Sequence, residues 1–171
     1  SPTVPRLVDQ LIWCAEHQPG EVAYVNLASE QSITFAGWDV KSSSLARSLV
    51  ADGVEPGDRV ALHLDGVYVL DWIVAYAAIH KAGAVAVPTN TRLTAAELAT
   101  VLSHAEPTVV ITSSELRPVV DAADDRLAAN WSVIDRNAAG WQERLTGDTS
   151  PLPMLWDHDG DLADIMYTSG T

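Results

Sequence analysis

The residues of this chain best suited to chemistry stand at its end, where residues 164–171 read DIMYTSGT. A short apolar run closes on Tyr167, and four small residues follow: Thr168, Ser169, Gly170 and Thr171. Placed after a strand, such residues expose backbone N–H groups and hydroxyls that can surround phosphate oxygens. The glycine allows close approach or an unusual backbone angle. Ser-Gly after a strand also marks many ordinary turns, and the Gly-Lys-Ser/Thr of a full P-loop is absent. A nucleophilic role for Ser169 fits poorly: its flanks are not G-x-S-x-G, and no acid and histidine follow it.

Other candidate groups have blander readings. Asp157, Asp159 and Asp161 alternate as in a calcium loop, but Leu162 stands where Gly is needed and Thr168 where the closing Glu is needed. A solvated acidic loop is the simpler expectation. His17, His63, His80, His104 and His158 show no metal-binding spacing and suit solvent-facing or locally hydrogen-bonded roles. Lys81 ends an apolar run beside His80 and precedes Ala82-Gly83, which suggests dipole complementation and a glycine cap rather than a catalytic amine. Asp58-Arg59, after Pro56-Gly57, reads as a structural turn.

These groups need a scaffold, and the composition supplies one. The chain has 171 residues, 47% hydrophobic and 19% charged, enough for one sizeable core. Its net charge of -13 argues against a nucleic-acid partner, which needs a neutralising basic surface. The single cysteine, Cys14, permits no internal disulfide and fits a reducing compartment. The most apolar window, LDWIVAYAAIHKAG, is broken by Asp71, His80 and Lys81, well short of a transmembrane segment. No basic region precedes an apolar stretch at the start, so the expectation is a cytoplasmic protein without a targeting signal.

Periodicity lays out the elements. Leu7, Val8, Leu11, Ile12 and Ala15 recur at helical spacing until Pro19-Gly20. Residues 22–27 and 32–35 predict a hairpin, and 37–50 a helix with Trp38, Leu45 and Leu49 on one side, weakened in propensity by three serines at 42–44. After the GVEPGD turn, Val60, Leu62 and Leu64 share one face of a strand. Residues 69–79 form a buried helix and AVAVP a buried strand. Thr94 and Glu97 form a capping box, opening a helix with Leu98, Val101, Leu102 and Ala105 in a stripe. A strand at 108–112, a helix at 116–129, a strand at 132–134, a helix at 138–145, a turn-rich connection and a strand at 163–167 complete the order. Alternating strands and helices, with continuously apolar central strands, predict an α/β fold: a mostly parallel sheet covered by helices on both faces, plus the N-terminal hairpin. Ligands in such folds lie past the carboxyl ends of the strands, where the sequence places Thr168, Ser169, Gly170 and Thr171.

Taken together, the segments resemble the N-terminal part of the adenylate-forming, or AMP-binding, superfamily, which includes acyl-CoA synthetases, carrier-protein-loading adenylation domains and luciferases. ITFAGWDVKSSSLARSL, GVEPGDRVALHLDG, IHKAGAVAVPTNTRLTAAELATVLSHAEPTVVIT and DLADIMYTSGT match family motifs in the right order over most of the chain. Phe35, Trp38 and Asp65 depart from the Tyr, Leu and Asn common there, and Asp65 adds charge just past a strand end.

The resemblance implies that residues 1–171 are a partial N-terminal domain, lacking its remainder and the small C-terminal domain. It gives Thr168, Ser169, Gly170 and Thr171 the role of contacting ATP phosphates, with no complete catalytic set and no metal ligands in the fragment. The implied parent is an ATP-dependent acyl-CoA ligase using magnesium and coenzyme A. It converts a carboxylic acid to acyl-AMP and then to a thioester, and the fragment alone is expected to be inactive. PTNTRLTAAEL looks more like acyl-CoA synthetases than peptide-synthetase modules, favouring a fatty or related acid and a place in lipid metabolism. Two alternatives stay open: a domain loading a carrier protein, and a noncatalytic module binding a nucleotide or partner. A parallel sheet cut in mid-domain would also favour self-association.

Overall fold

The computed structural model describes residues 7–152. The first helix, α1 (Leu7–His17), buries Val8 and Leu11. An antiparallel hairpin follows, β1 (Val22–Asn26) with β2 (Gln31–Thr34), in which Asn26 faces Gln31 and the register shifts between Val22 and Tyr24. Each expected strand runs one residue further at its C-terminal end, and the second is expected to start at Ser32 where β2 starts at Gln31. Asn26 stops β1 by accepting Ala28 N–H on Oδ1 at 3.1 Å, an Asx turn. Thr34 stops β2 by capping the next helix: its Oγ1 accepts Gly37 N–H at 3.0 Å. Phe35 therefore opens α2 (Phe35–Ala51) instead of closing the strand.

Four parallel strands follow: β3 (Arg59–His63), β4 (Val85–Pro88), β5 (Val109–Thr112) and β6 (Ser132–Asp135). They lie in the order β4-β3-β5-β6, with Arg59 opposite Val85, Val60 opposite Val109, and Val109 opposite Ser132. The crossovers are α3 (Val69–Lys81), α4 (Ala95–Ala105) and α5 (Arg117–Leu127), and α6 (Gly140–Leu145) follows β6. A 3-10 turn, Gly66–Tyr68, leads into α3.

Both faces of the sheet are covered, as the apolar strands require. Val60, Leu62 and Leu64 share one face with Leu45, Leu49, Val74, Ala78, Trp141 and other residues of α2, α3 and α6. Ala61, Val87 and Val110 face the opposite way, onto Leu98, Leu102, Val120 and Ala123 of α4 and α5. The Thr94–Glu97 capping box forms as its spacing predicts: Glu97 N–H donates to Thr94 Oγ1 at 3.2 Å and Thr94 N–H to Glu97 Oε1 at 3.3 Å. Helix α5 is shorter than expected and ends at Ala128, whose φ of 49° is left-handed; α6 starts at Gly140 rather than 138.

The three serines of α2 have roles that helix propensity does not register. All are buried. Ser42 Oγ donates to Asp39 O at 3.0 Å, and Ser43 Oγ accepts from Lys81 Nζ at 2.9 Å. Ser44 Oγ donates to Arg144 O at 2.7 Å and accepts Gly147 N–H at 2.8 Å. Further along α2, Arg47 donates to the carbonyls of Ser150 and Pro151 at 2.8 and 2.6 Å. Ser44 and Arg47 thus hold the start of the turn-rich connection along α2.

Candidate functional site

Because all four strands of the sheet are parallel, their carboxyl ends share one edge. His63, Pro88, Thr112 and Asp135 end the four strands there. From β3 the chain crosses to β4 on one side, then returns past β3 to β5 on the other. The order therefore reverses between β3 and β5, the position where open α/β sheets admit ligands.

At that reversal the loops after β3, β5 and β6 are tied together. Asp65 Oδ1 accepts Val67 N–H at 3.1 Å and starts the 3-10 turn, so its departure from Asn leaves a capping acceptor in place. Tyr68 Oη donates to Glu115 Oε1 at 2.6 Å and accepts from Asn137 Nδ2 at 3.2 Å. The Tyr68 hydrogen bond is the main cause holding the Glu115 carboxyl below its ordinary range. The Arg136 guanidinium lies 4.3 Å from the Tyr68 ring centre and pairs with Asp71 at 2.7 Å. Asp71 also accepts from Trp141 Nε1 at 3.3 Å. Asp135 accepts from Ser114 Oγ at 2.8 Å and Asn137 N–H at 2.8 Å.

Of the two roles expected for the histidines, solvent-facing or locally hydrogen-bonded, His63 takes the second, and it is wholly buried. Thr89 Oγ1 donates its proton to Leu62 O at 3.0 Å, so it accepts from His63 Nδ1, 2.7 Å away. That direction fixes the Nδ1–H tautomer and leaves Nε2 as a lone-pair acceptor, buried without a hydrogen-bond partner among the described residues. Burial pushes the imidazole down to about 4, with the Asp65 charge acting in the opposite direction. A period-2 strand with one covered face would put His63 outside. The continuous apolar character of the neighbouring strands was the available signal that both faces are covered.

Lys81 lies in the last turn of α3 as expected, and it has partners that the sequence did not announce. Its ammonium is buried and donates to Asp39 Oδ1 at 2.5 Å, to Asp39 O at 2.9 Å and to Ser43 Oγ at 2.9 Å. Desolvation lowers its pKa, opposed by the Asp39 hydrogen bond and charge. It cross-links α3 to α2, while the glycine turn at Gly83 (φ 74°) forms as expected. Arg59 reaches the end of α4, donating Nε to Ala105 O at 2.9 Å and Nη2 to Glu106 O at 3.0 Å. Asp58 accepts Glu55 N–H at 2.8 Å, so Asp58-Arg59 is structural as the turn suggested.

The described part of this edge is a connected polar scaffold. Among the described residues no group of three or more His, Cys, Asp or Glu side chains could hold a metal ion. None of their helices is long and apolar enough to cross a membrane. Thr168, Ser169, Gly170 and Thr171, the expected phosphate-contacting residues, lie outside the described residues, as do Asp157, His158, Asp159, Asp161 and the strand expected at 163–167.

A protein-family model described as "AMP-binding enzyme" matches residues 11–171. The chain is 35% identical over 150 residues to a long-chain-fatty-acid–CoA ligase, FadD13, of Mycobacterium tuberculosis, covering 87% of this chain and 29% of that protein. It is 34% identical over 157 residues to tyrocidine synthase 2 of Brevibacillus parabrevis, covering 92% of this chain and 4% of that protein. Among solved structures, ATP-bound MatB from Rhodopseudomonas palustris superposes with a TM-score of 0.77 at 28% identity, over 96% of this chain and 32% of MatB. The chain thus spans less than a third of the length of these two curated relatives.

Proposed function

Since the chain belongs to the AMP-binding enzyme family, we propose that it is the partial N-terminal domain of a longer acid-activating ligase. The reaction joins a carboxylic acid to AMP and then passes the acyl group to the thiol of coenzyme A. The observation that carries this reading is the family match across residues 11–171, which includes Thr168, Ser169, Gly170 and Thr171.

The chemistry fits the residue types. A carboxylate oxygen attacks the α-phosphorus of ATP, pyrophosphate leaves, and the acid gains a leaving group that it lacked. Donors placed around the transferring phosphoryl group stabilise charge as it develops. The hydroxyls of Thr168, Ser169 and Thr171 and the loop's N–H groups have that character, and a chain of net charge -13 needs such local donors to hold a polyanion. ATP bound to MatB supports assigning the same nucleotide here. Magnesium would neutralise phosphate charge; among the described residues no group of three or more His, Cys, Asp or Glu side chains could hold it.

A fatty or related acid and a coenzyme A acceptor are supported by the likeness to the fatty-acid ligase and by PTNTRLT at 88–94. The likeness to a fatty acid–[acyl-carrier-protein] ligase, ScoC, of Streptomyces coeruleorubidus favours a second reading, delivery to a carrier protein. The parent protein tests both. Acid-dependent ATP–pyrophosphate exchange is expected, with product on coenzyme A rather than on a phosphopantetheinylated carrier. Exchange that Gly170→Ala and Ser169→Ala leave untouched would remove the phosphate-loop assignment, and absence of exchange with every acid class would remove the ligase reading.

A further inference from the structure

The outer edge of β4 is buried where an end strand should meet water. Val85 N–H donates to Asp58 O at 2.7 Å and Thr89 N–H to Leu62 O at 3.0 Å, so alternate residues of β4, starting with Val85, turn their main-chain groups toward β3. Alternation along the strand turns the N–H and C=O of Ala86 the other way. Among the described residues β4 pairs with β3 alone, and none of them accepts a hydrogen bond from Ala86 N–H. Yet Ala86 is 0% exposed. A main-chain N–H that water cannot reach requires a partner. The opposite edge of the sheet differs. Ser132 N–H and Arg136 N–H donate to Thr108 O and Thr112 O, which turns Val133 outward from β6, and Val133 is half-buried.

The path of the chain identifies the occupant. Helix α3 lies on the sheet face of Val60 and Leu62 and carries the chain from β3 to β4. Helices α4 and α5 lie on the opposite face and carry it the other way, from β4 past β3 to β5 and on to β6. All three crossovers thus have one hand, as parallel connections do. Helix α6 places Trp141 and Leu145 on the face of α3. A connection over that face runs in the direction from β3 to β4, and every position as far as β4 is filled. The next parallel strand therefore falls beyond β4. After α6 the chain already heads that way, held along α2 by Ser44 and Arg47, and α2 packs against α3. Residues 153–162 can extend ~35 Å. The place beyond β4 lies ~19 Å from β6 at ordinary strand spacing.

We propose that residues 163–167, which lie outside the described residues, add a fifth parallel strand to the outer edge of β4 and supply the partner of Ala86. The carboxyl end of that strand sets Thr168, Ser169, Gly170 and Thr171 beside Thr89 and Asn90. The phosphate-contacting loop is then anchored by β4 rather than by the reversal between β3 and β5. This consequence rests on the reading of those four residues as the phosphate loop; the strand placement does not.

Amide-resolved hydrogen exchange in the full-length parent tests the placement. Ala86 N–H is expected to exchange slowly. Ile165→Pro and Met166→Pro each delete one donor from the expected strand, and alternation aims one of the two at β4. At least one of them should speed exchange at Ala86 about tenfold or more, with Val133 N–H unchanged. Ile165→Gly weakens the strand more gently and keeps the test readable if neither proline variant folds. Fast exchange at Ala86 in the unaltered parent overturns the placement, as does acceleration at Val133 in place of Ala86, or protection at Ala86 that no variant moves. Ser169→Ala separates the two readings through acid-dependent ATP–pyrophosphate exchange. If that activity is untouched while the strand variants release Ala86, the phosphate-loop reading falls and the placement stands. If it drops while Ala86 stays protected in every strand variant, the placement alone falls.

Discussion

His63 and Thr89 tie the end of β3 to the loop after β4 through an Nδ1–Oγ1 contact of 2.7 Å, and the imidazole in that contact is neutral and wholly buried. Its pKa is pushed from 6.5 down to about 4 by burial. Unfolded His63 therefore takes up a proton more readily than the folded form. The stability due to this group is fully present above its ordinary pKa of 6.5 and is lost as the pH falls through about 4. The full loss amounts to about 3 kcal/mol. His63→Leu should remove that component; urea unfolding near pH ~7 and pH ~4.5 measures it. An equal acid loss in the variant would assign the effect to other groups.

Asp39 and Lys81 form an unequal pair. The ammonium is 7% exposed and the carboxylate 30%, so removing the carboxylate strands the more buried charge. Asp39→Ala is expected to cost about 3 kcal/mol or more, the usual penalty for an uncompensated buried charge. Lys81→Met leaves a carboxylate that water can reach and replaces the stem with an apolar one, so its cost is smaller. Denaturant midpoints of the two variants check the order, and a reversed order would contradict the burial assigned here.

Ser44 sits where α2 meets the chain after α6, donating to Arg144 O and accepting from Gly147 N–H. Ser44→Ala leaves both main-chain groups without this partner. A loss of about 1–3 kcal/mol is expected. Hydrogen exchange at Gly147 should rise in the same variant, separating a local release from a general loss of stability.

Glu106 and Ala128 end α4 and α5 with left-handed φ of 50° and 49°. A side chain at that angle crowds the backbone, and glycine does not. Glu106→Gly and Ala128→Gly should each stabilise the chain by about 0.5–1 kcal/mol, read as higher urea midpoints without a change in slope. A destabilised Ala128→Gly would show that the C-cap is not under strain.

Features that one element decides for itself were legible in the sequence. The buried strands announced themselves by uninterrupted apolar runs, and the Thr94–Glu97 box by two residue types three apart, a purely local geometry. Ser44 was not legible in this way, because its partners lie about a hundred residues away in sequence and the bond depends on how α6 is placed. Lys81 is similar: its position at a helix end suggested dipole complementation, and nothing local in the sequence announced that α2 packs over it and supplies Asp39. Phe35 failed for a local reason, since Thr34 satisfies both a strand pattern and a helix cap and the cap wins. The expected phosphate residues were legible as a motif, yet their contacts require chain and ligand beyond the described fold.

The strand order also sets a timetable for synthesis. β3 emerges from the ribosome before β4, β5 and β6, yet it ends up in the interior of the sheet with β4 and β5 on either side. Its second edge stays bare until Thr112 is made, 49 residues after His63. At ordinary elongation rates that interval lasts roughly 2–10 s. During that time Val60 and Leu62 are exposed on a strand that cannot yet pair on both sides, so slowing translation within this stretch should lengthen chaperone engagement of the nascent chain.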